Sequence, residues 1–145
     1  MEIPFNRTVC ACERCTDCCK RQPGPLIEGD YERIRAHLQV SDEEMRKLFW
    51  ASPGALVKNT VTGTVSRVGS ITPRYRKGRC VFLDEHDRCK IHAVAPFGCA
   101  YFDTHMSQAA SQDRSRFAVH SQESAEYQAL RNKLPLATHY KPSSY

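Results

Sequence analysis

No apolar run in this chain approaches the roughly 20 residues of a membrane span, so no transmembrane helix is expected. The opening Met-Glu-Ile-Pro-Phe-Asn-Arg has neither the basic n-region nor the apolar stretch of a secretory signal, which points to the cytoplasm. No glycine-rich phosphate loop follows a strand-like run, so Rossmann and P-loop nucleotide binding lack their signature. No βαβ unit surrounds a C-x-x-C pair, which argues against a thioredoxin-like role. Internal repeats and low-complexity tracts are absent as well, and a single domain over residues 1–145 is expected. With 41% hydrophobic and 26% charged residues, the composition is that of a soluble globular chain.

Cysteine, by contrast, is abundant. Five of the eight cysteines fall in Cys10-Ala-Cys-Glu-Arg-Cys-Thr-Asp-Cys-Cys19, and the others stand at Cys80, Cys89 and Cys99. No packing requirement asks for five thiols in ten residues, but thiolate is a preferred ligand of zinc and of iron–sulfur clusters. An even count also permits a disulfide framework. A reducing cytosol disfavours it, and adjacent Cys18 and Cys19 would pair only with strain. The formal charge of +5 counts thiols as neutral. Bound thiolates would reverse that balance, so the basic excess is poor evidence for nucleic-acid binding.

The remaining pattern predicts an α+β fold, in which helices and a short antiparallel sheet surround a cysteine-rich metal centre. Residues 1–9 read as an irregular lead-in, with Phe5 free to tuck onto the core. Gln22-Pro-Gly-Pro25 would stop any helix begun on Cys19. Asp30 is a plausible N-cap for a helix to Gln39, and Ser41-Asp-Glu-Glu44 is a capping box for a second helix to about Trp50, ended by Pro53-Gly54. Residues 55–83 are β-branched and punctuated by glycine, and predict two or three short strands in a meander. The longest helical pattern covers residues 107–134.

Cys12-x2-Cys15-x2-Cys18 matches the first three positions of a bacterial iron–sulfur run. The fourth ligand would come from Cys19, Cys80, Cys89 or Cys99. Eight thiolates could equally fill two zinc tetrahedra or, if shared, a binuclear site, so the counts leave zinc and iron both open. Beyond Cys99, Asp103 and His105 offer a carboxylate and an imidazole two residues apart. Each is as readily a surface polar residue, as is His92, because thiols are already in surplus. The run Arg74-Tyr-Arg-Lys-Gly-Arg79 interleaves cations with an aromatic as RNA-binding surfaces do, and a solvated strand edge explains it as well.

Cys12-x2-Cys15-x2-Cys18-Cys19, then Cys80-Val-Phe-Leu, Cys89-x-Ile and a proline shortly before Cys99, resembles the YkgJ-type cysteine-cluster family, a zinc- or iron-chelating domain named for its CxxCxxCC motif. The resemblance covers roughly residues 10–105 and implies that Cys12, Cys15, Cys18, Cys19, Cys80, Cys89 and Cys99 form the metal site. Cys10 lies outside the named motif and joins Asp103 and His105 as a secondary candidate. The chain departs from the family pattern at His92, where an aromatic is common, and at Ala95-Pro96, where Arg-Pro is common. The expected function is metal binding, by zinc or iron, the latter as an iron–sulfur cluster if so. The alternatives are a redox or protein- or RNA-modifying enzyme using the cluster, and a zinc-stabilised adaptor for nucleic acid or protein. No catalytic residue and no membrane partner is expected.

Overall fold

The computed structural model describes residues 2–10 and 12–138, leaving the side chains of Thr16, Cys18 and Cys19 outside the description. The architecture is α+β. Helix α1 (Glu13–Arg21) is followed by α2 (Asp30–Leu38) and α3 (Asp42–Leu48), then by strands β1 (Phe49–Lys58), β2 (Val65–Pro73), β3 (Tyr75–Arg76) and β4 (Arg79–Cys80). A short 3-10 turn (His92–Val94) and the single-turn α4 (Phe97–Ala100) lead to α5 (Gln108–Gln122) and α6 (Ala125–Arg131). Strands β1 and β2 form one antiparallel pair, and β3 and β4 a second. No helix among the described residues is long and apolar enough to cross a membrane.

From Glu13 onward the cysteine cluster is helical. Helix α1 carries acidic Glu13 in its first turn and Lys20 and Arg21 in its last, which complements the helix dipole, and it stops before the Pro-Gly-Pro stretch as expected. Asp30 lies inside α2 rather than capping it: Gly29, at φ 91°, holds the cap position. Ser41 caps α3 by accepting from the Glu44 N–H. The second helix is shorter than its pattern suggested. Phe49 and Trp50 already belong to β1, which pairs as Phe49↔Pro73 and Trp50↔Thr72.

Pro53-Gly54 does not end an element. It sits in a bulge within β1, between Ser52 and Ala55, where a missing N–H and a positive φ are tolerated. At Gly54 a Cβ would stand 1.7 Å from the Val68 carbonyl oxygen, so no other residue fits. One long hairpin thus replaces the expected meander. Lys77 and Gly78 both have positive φ, as the tight turn between β3 and β4 requires. The single helix expected over 107–134 is two, because Ser124 takes an extended conformation and caps α6 by accepting from the Tyr127 N–H.

Two apolar groups hold the frame. The larger contains Leu26, Tyr31, Ile34, Met45, Phe49 and Ile71, and Cys80 and Phe82 join it. Tyr127 ties three segments here: its hydroxyl donates to the Leu26 carbonyl at 2.7 Å and accepts from the Ile71 N–H at 2.8 Å. The smaller group centres on fully buried Phe97, with Ile27 and Ala118. Phe5 packs edge-on against Phe117 at 5.6 Å between ring centroids and lies 6.4 Å from Phe97. The irregular lead-in is therefore anchored to the core three residues before Thr8, whose N–H donates to Ala100 at 2.8 Å.

Buried Asp30 joins the two groups. One carboxylate oxygen accepts from the N–H groups of Ile27 and Phe97, each at 2.9 Å, and the other from the Arg33 guanidinium. Burial pushes its pKa up, and those three donors offset the shift only in part. Beside this junction the backbones of Gly24 and Gly98 are in contact: a Cβ on Gly24 would lie 2.2 Å from the Gly98 carbonyl carbon. The Gly98 N–H donates to Pro25, and the Gly24 N–H to the Cys99 sulfur at 3.1 Å.

Candidate metal centre

Four side chains converge on one face: Cys10 from the lead-in, Cys12 immediately before α1, Cys15 in the first turn of α1, and His105 from the loop after α4. Their ligand atoms all lie within 4.8 Å of one another. Cys12 Sγ stands 3.4 Å from His105 Nε2. Cys12 and His105 are exposed, and Cys10 and Cys15 half-buried.

Two motifs bring the chain's ends of this site together. Thr8 donates through its hydroxyl to Asp103 at 2.8 Å and accepts from the Cys10 N–H at 3.2 Å. The second oxygen of Asp103 accepts from the His105 N–H at 2.9 Å. One carboxylate thus holds both the lead-in and the histidine loop, and these donors keep it well below the usual carboxylate range, Thr8 foremost. Thr104 supplies a further link, its hydroxyl 3.2 Å from Cys15 Sγ and its N–H donating to the same sulfur at 3.4 Å.

The thiols are electrostatically unlike. The Cys15 N–H, in the first turn of α1 where helix N–H groups lack a partner within the helix, bonds Cys12 and lowers its pKa, and hydrogen bonds with the Cys15 and Cys10 side chains lower it further. For Cys10 the Cys12 N–H acts downward, but hydrogen bonds with the Cys15 and Cys12 side chains outweigh it and push the group up to about 11. Cys12 is the readiest thiolate of the two.

The spacing suits four ligands around one ion. Sulfur at ~2.3 Å and nitrogen at ~2.0 Å from a common centre put donor atoms about 3.5–3.8 Å apart, close to the Cys12–His105 separation and within the spread of the group.

Cys80, Cys89 and Cys99 lie outside this foursome. Cys80 is buried in β4 against the larger core, and α1 packs on that strand. Cys89 faces Leu83 across a bridge, closing a loop in which Asp84 accepts from the N–H groups of His86 and Arg88. Cys99 accepts from Gly24. The expected ligand roles of Cys18 and Cys19 fall on side chains outside the described residues. Asp103 positions its neighbours and is not in the four-residue group, and His92 is exposed. Arg74, from the basic run, directs its Nε to the Phe49 carbonyl at 3.1 Å and its Nη2 to that of Arg46.

Sequence reasoning passed over Thr8, Thr104 and Arg7. Arg7 donates to the carbonyls of Ala93 at 2.8 Å and His92 at 2.6 Å, bringing a guanidinium to the turn where the sequence has Ala95-Pro96. These contacts span 85–95 positions and leave no local signal.

Three thiols and an imidazole on a small α+β frame are the equipment of a metal-chelating domain. The family model named CxxCxxCC, described as a putative zinc- or iron-chelating domain, matches residues 11–129, and the chain belongs to that family. No curated protein and no solved structure matches the chain.

Proposed function

We propose that this protein is a zinc-binding protein whose first centre is formed by Cys10, Cys12, Cys15 and His105. The observation that carries the reading is the imidazole of His105 at 3.4 Å from Cys12 Sγ among three thiols. Mixed sulfur–nitrogen tetrahedra are characteristic of zinc, whereas iron–sulfur clusters are most often held by four thiolates. In such a centre the chain's own residues supply binding and orientation: Asp103 fixes the His105 loop, Thr104 hydrogen-bonds the Cys15 sulfur, and the start of α1 favours the Cys12 thiolate. A bound zinc would supply charge neutralisation for the thiolates. The cysteines Cys18, Cys19, Cys80, Cys89 and Cys99 are proposed as further ligands, within the 10–105 core implied by the motif. Thiol ligands of this kind suit a reducing compartment, in keeping with the cytoplasm.

The test is elemental analysis and visible absorption of protein purified without oxygen. Expected is a colourless protein with zinc, part of which is lost in His105→Ala and Cys12→Ser. Iron with acid-labile sulfide and a brown colour would overturn the zinc assignment. Protein that takes up neither metal would overturn chelation.

A further inference from the structure

Beside the centre lies an open cavity of about 330 Å³, lined among others by Arg7, Thr8, Cys10, Asp103 and Arg114. Arg114 stacks its guanidinium 4.6 Å above the Phe5 ring and donates to Ala110, while its buried Nε has no hydrogen-bond partner. Arg7 and Arg114 thus bring two positive charges to the lining against one carboxylate; the Arg7 Nη atoms also donate to the Ala93 and His92 carbonyls, and the carboxylate is directed onto Thr8 and His105. Cys10 belongs both to this wall and to the ligand group. Cys12 and His105 of the same group are exposed.

We infer that the Cys10–Cys12–Cys15–His105 group is an exchange site, surrendering its metal to a small anionic chelating ligand that docks in the cavity on Arg7 and Arg114. The inference rests on the chelation proposed above and treats the metal as cargo. A carboxylate held by the guanidiniums sits next to Cys10, and the ligands reachable from solvent, Cys12 and His105, are the first to be replaced. Each metal–sulfur or metal–nitrogen bond that breaks is matched by a bond to an oxygen or nitrogen of the acceptor. The released thiolates take protons from solvent, and no electron moves. A structural site would differ, because its ligands would be sealed and its metal would leave only when the fold opens.

The experiment uses the full chain loaded with cobalt, whose thiolate absorption reports on the site, mixed with excess nitrilotriacetate or with neutral terpyridine. The phase belonging to this centre is the one missing in His105→Ala. Its rate should rise with nitrilotriacetate concentration and level off as the cavity fills. Arg7→Gln and Arg114→Gln should slow it several-fold for nitrilotriacetate and leave terpyridine unchanged, with Arg114→Lys restoring the rate. Inorganic phosphate should slow nitrilotriacetate alone in the wild-type protein, a comparison that needs no variant to fold. A rate independent of chelator concentration even at the lowest excess, or equal effects on both chelators, would overturn the exchange site. A chain that takes up no cobalt would instead count against chelation itself.

Discussion

Replacing Asp30 by Ala should be among the most damaging single changes outside the ligand group. The substitution strips the acceptor from two buried N–H groups, those of Ile27 and Phe97, and from the half-exposed Arg33, which can turn to solvent. An orphaned buried donor costs about 1–3 kcal/mol, so two cost about 2–6. Removing a carboxylate that burial disfavours returns part of this, leaving a net loss of about 3 kcal/mol. Urea unfolding of the metal-loaded protein measures it, where a slope of ~1–3 kcal/mol/M turns that loss into a midpoint shift of about 1–3 M. The sign with pH follows from the raised folded pKa. The Asp30 contribution is full below its ordinary value of 3.8 and is lost as pH rises through the folded value. The gap between wild type and Asp30→Ala should therefore be widest in acid and narrow as pH rises. A loss under about 1 kcal/mol, or a gap that widens with pH, would refute the account of this residue as the latch between the two cores.

Tyr127→Phe should destabilise by about 1–3 kcal/mol in the same assay, since the Ile71 N–H loses its acceptor with no change in packing volume. Gly98→Ala should be worse than Gly78→Ala by thermal melting: the first places a Cβ 2.3 Å from Pro25, whereas the second meets nothing and costs only the left-handed strain of about 1–2 kcal/mol. Metal uptake by the stripped protein should release protons, because Cys10, pushed up to about 11, is protonated at neutral pH. Apparent affinity should consequently rise with pH, as a weakly buffered indicator dye would show. Phe97→Ala should cost about 3–5 kcal/mol and loosen the lead-in, raising protease sensitivity before Cys10.

Local chemistry made much of this legible. The Ser41 cap, the helix stop at Gln22-Pro-Gly-Pro25 and the packing of Phe5 on the core depend on neighbouring residues or on one conspicuous side chain, and sequence carries both. Boundaries decided by tertiary pairing were less so. Phe49 and Trp50 have a helical neighbourhood, but cross-strand partners in β2 and the hydrogen bond from Trp50 Nε1 to Thr72 hold them extended. Pro53-Gly54 reads as a break and serves as a bulge, because β2 supplies the pairing on both sides of it. At the site, the thiol cluster is plain in the sequence, yet the inclusion of Cys10 and His105 is not. It depends on Thr8 and Asp103 meeting across 95 positions.

The Cys12–His105 approach spans 93 positions of chain. An ion shared by those two side chains would act as a removable cross-link closing most of the polypeptide into a ring. In the chain-entropy picture, a tie across a loop of that order restricts the unfolded ensemble by about 4–5 kcal/mol. Loading and unloading the centre would then alter the topology of the unfolded chain as well as the composition of the folded one. The resistance of this protein to unfolding would track the metal supply around it.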